Sequence, residues 1–260
     1  QQKYVSYRKV RLFCITLLFT ITEIMDKQAK RIQTSVLNAA ERKALIWLAE
    51  RQPKWVTSDF LTWLGVFGSF LIMLGYILTN FNINWLWLST FGLILNWYGD
   101  SLDGTLARVR NTQRPIYGYY LDHTVDGINE TMMFMGIGLS PFLNLYTAMA
   151  MLIVYLQLTL NVSMNAHLRS EFKLTYAGLG PTEFRIIVII LNTLLFFIKP
   201  WQQFERVFVI LGKTVYFHAL DYPGLVILAI LILIYFVTIA KDLRYYAKID
   251  PMPKRKDEKK

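Results

Sequence analysis

Apolar residues in this chain arrive in long blocks separated by short polar intervals. From residue 58 onward, blocks near the ~20 residues that cross a bilayer recur down the sequence. Six are predicted as spanning helices: residues 58–79, 85–106, 119–139, 143–165, 184–198 and 225–240. The fifth is short, and the second and third carry acidic residues that lower their hydropathy. Ahead of them, residues 35–51 follow a helical period. Val36, Leu37, Ala40, Ala44, Leu45, Trp47 and Leu48 fall on one face, with Glu41, Arg42, Lys43 and Glu50 elsewhere. Lys and Arg beside Trp predict a helix lying in the membrane interface. Pro53 ends it, because proline cannot continue the backbone ladder. Between the fifth and sixth blocks, Gly212-Lys213 joins two β-rich runs, 207–210 and 215–217, and predicts a small hairpin. The expected fold is an all-α integral membrane bundle of six transmembrane helices with an N-terminal amphipathic juxtamembrane helix. Its parts are a segment at 1–34, the juxtamembrane helix at 35–53, the six-helix domain at 54–246 and a charged tail at 247–260.

Composition agrees with a bilayer. Hydrophobic residues make up 54% and aromatics 15%, and the mean hydropathy is +0.34, too apolar for an average soluble domain. The net charge of +10 does not point to nucleic acid, because the basic residues sit in short segments between apolar runs. With both termini cytoplasmic, Lys199, Arg206 and Lys213 are the only three of 28 basic residues left on the far side. That asymmetry sets the predicted orientation. Cys14 is the single cysteine, so no intrachain disulfide forms. Residues 12–21 form an apolar run preceded by Arg8, Lys9 and Arg11, too short to span and without a small-residue cleavage site. The natural start is expected at Met25, with residues 1–24 dispensable; the alternative is a membrane-surface helix.

The second and third spans carry the chemistry. Asp100, Asp103, Gly104 and Ala107 lie at i, i+3, i+4 and i+7 and share one helical face. Asp122 and Asp126 lie at i and i+4 and share another. Nine residues separate Arg108 from Gly118, enough for a tight turn that brings the two faces together. Each acid in a membrane helix costs about 2.5–3.5 kcal/mol on insertion scales. Four together also repel one another. Divalent cations offset both costs, and carboxylate ligands indicate Mg²⁺ or Mn²⁺ rather than zinc. No His/Cys cluster competes, since His123, His167 and His218 are scattered. Gly104 and Ala107 leave room beside the acids for a flat base or a diphosphate. The alternative reading makes the acids helix-end charges paired with Arg108 and Arg110.

The pattern resembles the signature of the CDP-alcohol phosphotransferase family, D-x-x-D-G-x-x-A-R, eight or nine residues, then G-x-x-x-D-x-x-x-D. All its fixed positions are present: Asp100, Asp103, Gly104, Ala107, Arg108, Gly118, Asp122 and Asp126. The resemblance implies six spans, a cytoplasm-facing site and a homodimer. It implies that Asp100, Asp103 and Asp122 bind two metal ions with help from Asp126. Asp126 would also act as general base on an alcohol acceptor. Gly104, Ala107, Arg108 and Gly118 belong to the pocket for the CDP-linked donor, with CMP as leaving group. Asp59 and Thr62, at the start of the first span, match a polar patch that relatives place beside the nucleotide.

Other residues bear on the substrate. The pair Asp122-His123 resembles the choline and ethanolamine phosphotransferase branch, in which a diacylglycerol is the acceptor. Gly127-Ile128-Asn129-Glu130 stands where the serine-transferring branch has Ser-Phe-Gly, which weighs against that substrate. Thr182 is placed to cap the fifth span. His123, Glu183 and Arg185, with Arg169 and Lys173, are candidates to hold an acceptor or a lipid phosphate. The expected partners are the CDP-linked donor, the alcohol, membrane lipid and a second copy of the chain. Two rival readings are an intramembrane prenyltransferase and a non-enzymatic cation transporter. The first would need Asp motifs in two halves, the second broken helices at mid-membrane.

Overall fold

In the computed structural model, residues 30–32, 38–169, 171–173, 181–210 and 212–252 are described. The apolar run at 12–21, the expected start at Met25, the predicted face residues Val36 and Leu37, and the tail at 253–260 lie outside them. Helix α1 (Asn38–Glu50) is followed by six long helices: α2 (Ser58–Leu78), α3 (Leu86–Val109), α4 (Pro115–Gly138), α5 (Leu145–Arg169), α6 (Pro181–Phe197) and α7 (Asp221–Ile249). Each long helix overlaps one of the six predicted segments. Three helical stretches among the described residues are long and apolar enough to cross a membrane: Ser58–Leu78, Leu145–Ala166 and Asp221–Ile249. Helices α3 and α4 carry the acids, and α6 has 17 residues. Helix α7 runs well past the predicted end at 240. Hydropathy drops at Lys241, but the backbone ladder continues through a polar last stretch.

Local signals explain the helix ends. Thr57 caps α2, its hydroxyl accepting the Phe60 N–H at 3.1 Å. Pro115 occupies the first turn of α4, where no N–H is needed. The predicted hairpin is present, with β3 (Glu205–Ile210) antiparallel to β4 (Lys213–His218), and Gly212 takes φ +75° in its turn. A short parallel pair, β1 (Lys30–Ile32) and β2 (Glu171–Lys173), forms a second sheet among the described residues. Asp221, fully buried at the start of α7, accepts from Asn144 N–H, the Thr147 hydroxyl (2.6 Å) and His218 N–H (2.7 Å). It fastens the hairpin to α5.

Helices α2 and α3 cross with their backbones nearly touching. A Cβ added to Gly99 would lie 2.4 Å from the Gly65 nitrogen, and one on Gly68 would lie 2.5 Å from that of Asn96. Small residues permit such approach in membrane helices, where apolar burial gives no drive to associate. Buried Asn96 locks the crossing by donating to the Gly65 carbonyl (3.1 Å) and the Ser69 hydroxyl (3.0 Å). Deeper in, Tyr76 donates to Asn192 Oδ1 at 2.7 Å and Asn192 to Thr90 at 3.2 Å, joining α2, α3 and α6. Gly99→Leu is expected to force α2 and α3 apart at a cost of about 1–3 kcal/mol or more. Thermal unfolding in detergent measures it; an unchanged midpoint would contradict so close a crossing.

Helix α1 departs from its predicted face. Leu45 and Ala49 are buried against Val56, Leu61, Leu102 and Leu106, with Leu48 packed beside them. Ala44 and Trp47 turn outward, Trp47 at 55% exposure. The reason is that α1 lies against α3, so its inner face is set by Trp97, Tyr98 and Leu102 rather than by its own hydropathy. Glu41, assigned by periodicity to the outer face, accepts Trp97 Nε1 at 2.9 Å and the Thr182 hydroxyl at 2.5 Å. Thr182 is thereby bound to α1. Arg110 secures the α1–α2 loop by donating to the carbonyls of Gln52, Pro53 and Val56.

Candidate metal and nucleotide site

The turn between α3 and α4 decides where the acids meet. The Asn111 N–H bonds the Arg108 carbonyl (3.2 Å) and the Thr112 N–H bonds the Ala107 carbonyl (2.9 Å). This is a Schellman closure, which needs a left-handed residue just after the helix. Asn111 supplies it at φ 53°, a conformation that asparagine tolerates better than most residues. The chain then reverses into α4, so the last turns of α3 and the first turns of α4 lie side by side.

Carboxylate oxygens of Asp100, Asp122 and Asp126 come within 4.8 Å of one another. All three residues are partly buried. Arg185 enters from α6, donating to Asp100 Oδ2 at 2.5 Å and to Asn96 Oδ1 at 2.9 Å. Its side chain is 14% exposed, so the acids do have a sheltered cation beside them, which sequence analysis did not anticipate. Arg185 was expected at an acceptor or lipid phosphate; in the structure it braces Asp100 through α6.

Asp103 does not join that convergence. Its Oδ2 accepts the Thr62 hydroxyl at 2.6 Å, and its Oδ1 takes the Gly104 N–H. Its own carbonyl accepts from Ser58 at 3.0 Å. Asp103 thus faces α2, and Thr62 reaches it from the first span. Asp59 pairs with Arg114, whose guanidinium also stacks on Tyr117 at 3.9 Å. The hydrogen bond that Arg114 donates to Asp59 raises the guanidinium above the usual arginine range.

The positions expected to admit a nucleotide are open. A Cβ on Gly104 would meet only the Arg108 guanidinium, at 3.5 Å, and one on Gly118 would meet nothing within 4 Å. Ala107 is partly exposed and Arg108 exposed, with its Nη2 3.0 Å from the Thr105 hydroxyl. Arg110 directs its guanidinium to the carbonyls of the α1–α2 loop. His123 stacks on Tyr119 with ring centroids 4.0 Å apart. Its Nδ1 lies 3.0 Å from the Tyr119 carbonyl, which can only accept, so Nδ1 carries the proton. The same nitrogen is 3.9 Å from Asp122. Glu183 is buried at the start of α6. Arg169 closes α5 and Lys173 lies in β2; the side chains of both are outside the description.

Sequence analysis missed Asn96, Glu41 and Glu130. Asn96 lies four residues before Asp100 and Glu130 four after Asp126, so each extends a stripe already recognised as polar. That spacing was the available signal. Glu41 carried none, because its partners belong to other helices.

The acid set fits a divalent cation. Three hard oxygen ligands converge from two helices, and Asn96 and Thr62 hold Asp100's brace and Asp103 in place. Comparison with known proteins bears on what such a site is for. The family model described as CDP-alcohol phosphatidyltransferase matches residues 55–243. The chain is 36% identical over 86 residues to a phosphatidylinositol phosphate synthase of Cutibacterium acnes (strain DSM 16379 / KPA171202). That similarity covers 32% of this chain and 38% of the relative.

Proposed function

Since this integral membrane chain belongs to the CDP-alcohol phosphatidyltransferase family, we propose that it transfers a substituted phosphate from a CDP-linked donor to an alcohol, releasing CMP, in phospholipid synthesis. The observation that carries this reading is the convergence of Asp100, Asp122 and Asp126 beside the open Gly104–Arg108 face. Asp100, Asp122 and Asp126, with Asp103 alongside, would hold Mg²⁺ or Mn²⁺, two ions on the family's pattern. A divalent cation held there would supply charge neutralisation for the diphosphate and the CMP leaving group. Gly104 and Ala107 admit the nucleotide along α3, and Arg108 offers its guanidinium to the diphosphate. Gly118 keeps the facing turn of α4 clear. Thr62 orients Asp103. Asp59, paired with Arg114, lies with Thr62 in the polar patch proposed beside the nucleotide.

Asp126 serves as the base. It takes the proton of the acceptor hydroxyl, the freed oxygen attacks the phosphorus distal to cytidine, and the bond to CMP breaks. One P–O bond forms, one breaks, and the proton rests on Asp126. Arg185 holds Asp100 against its neighbours throughout. The six long helices are read as six spans, with the termini and the acid cluster on the cytoplasmic side, as the basic-residue asymmetry indicates. The domain is taken as 54–246, with α1 at the membrane surface and a homodimer as the assembly.

Incubating purified protein with Mg²⁺ and either CDP-diacylglycerol plus polar alcohols or CDP-ethanolamine plus diacylglycerol, and measuring CMP, tests the reading. Turnover is expected with one pair and should vanish in excess EDTA. Full turnover in EDTA would remove the metal role, and no CMP from any pair would sink the proposed activity.

A further inference from the structure

The carboxylate stripe on α4 does not end at Asp126. Glu130 follows at the same i+4 spacing, roughly 6 Å further along the helix axis. One of its oxygens, Oε1, lies 3.4 Å from the Thr159 hydroxyl of α5. The other, Oε2, is buried with no hydrogen-bond partner among the described residues. The adjacent Asn129, 6% exposed, also buries its Oδ1 without a partner. A buried acceptor left without a donor is costly, about 1–3 kcal/mol and more for a charged group. Such groups are rare enough to call for an explanation.

Helices α4 and α5 pair in a fixed register here. Phe134 meets Tyr155 across the interface, and Glu130 meets Thr159. Both pairs step by four residues in opposite directions, so the next pair in register is Asp126 with Ser163. A hydroxyl-bearing α5 face therefore continues from Glu130 back to the acid cluster. Within the cluster, the chain direction separates two sides. Gly104, Ala107, Arg108 and Gly118 lie toward the α3–α4 turn, whereas Glu130 lies away from it. Phosphoryl transfer places the attacking and leaving oxygens roughly in line. With CMP leaving on the turn side, the acceptor hydroxyl approaches from the side of Glu130.

We propose that Glu130, oriented by Thr159, is a binding subsite for the acceptor, taking a hydrogen bond from a second hydroxyl or an ammonium group of the alcohol. This rests on the transferase reading above and narrows its substrate class. A diacylglycerol acceptor has one hydroxyl, which is consumed in the attack, and its ester oxygens only accept. It offers Glu130 no donor. The acceptor is then a polar alcohol with at least two donor groups, and the lipid travels on the CDP-linked donor.

The test is steady-state kinetics of wild type, Glu130→Gln and Thr159→Val with CDP-diacylglycerol and, in separate arms, glycerol 3-phosphate, inositol 1-phosphate and serine. A last arm uses CDP-ethanolamine with diacylglycerol. Calorimetric binding of CDP-diacylglycerol with Mg²⁺ reports whether each variant remains folded and donor-competent. Turnover is expected with a polar acceptor. Glu130→Gln should raise the KM for that acceptor about tenfold or more, leaving donor KM and donor binding unchanged. Thr159→Val should move the same parameter in the same direction by less. Turnover confined to the diacylglycerol arm, or a Glu130→Gln variant that binds donor normally with unaltered acceptor KM, overturns the subsite. Loss of donor binding in both variants assigns Glu130 to the structure of the bundle and overturns it too. Silence of wild-type protein in every arm is distinct, because it removes the underlying transferase reading.

Discussion

Asp100→Asn is expected to abolish CMP release at any Mg²⁺ concentration while leaving the protein folded in detergent. The amide is the same size and keeps an oxygen for Arg185, which approaches at 2.5 Å. The bundle around it is held by the α2–α3 glycine crossing and by Asn96, neither of which needs the charge. What the substitution removes is one of the three convergent carboxylates proposed to hold the metal. The loss should therefore exceed about 10²-fold, the usual upper cost of losing a residue that only supports a metal ligand. The measurement is CMP release alongside a thermal melt. An Asp100→Asn protein that melts normally and turns over within tenfold of wild type would show that Asp100 belongs to the Arg185 brace and not to the metal set.

The second large effect separates base from ligand. Asp126→Asn should lower the transfer rate by about 10²–10⁴-fold, the usual worth of positioned acid–base catalysis. Its amide oxygen can still meet a hydroxyl but cannot take the proton. Asp122→Asn should instead weaken donor binding. Asp122 is nearer the α3–α4 turn and its side chain is 47% exposed, so on the proposed reading it lies on the side of the diphosphate. Calorimetric titration of the CDP donor at fixed Mg²⁺ distinguishes the two. If Asp126→Asn loses donor binding as fully as Asp122→Asn, Asp126 acts only as a metal ligand and the base lies elsewhere.

The residues of the site were legible because the chemistry demands close spacing on single helices. Asp100, Asp103, Gly104 and Ala107 share a face by period alone, as do Asp122 and Asp126, and a turn of nine residues joins them. Partners between helices were not legible. Asp59 pairs with Arg114, 55 residues further along the chain. Arg185 braces Asp100, 85 residues before it. Thr182 was expected to cap α6 and instead donates to Glu41. In each case the residue type was right for a polar contact, and the partner came from a helix distant in sequence.

By itself the sequence determined the blocks that become long helices, the Gly212 hairpin, the break at Pro53 and the acid stripes. Each of these depends on backbone preference, capping or hydropathy acting within one or two turns, so local residues suffice to settle it. Only the tertiary structure decided which carboxylates converge and which are diverted. Asp103 turns to Thr62 because the glycine-lined crossing brings α2 against α3, whereas Asp100 is left facing Asp122 and Asp126. Helical period fixes which residues share a face, but not the rotation of one helix about another. That rotation follows from where Gly65, Gly68 and Gly99 let two backbones close, and from which buried polar groups, Asn96 and Arg185 first among them, must be satisfied once they have.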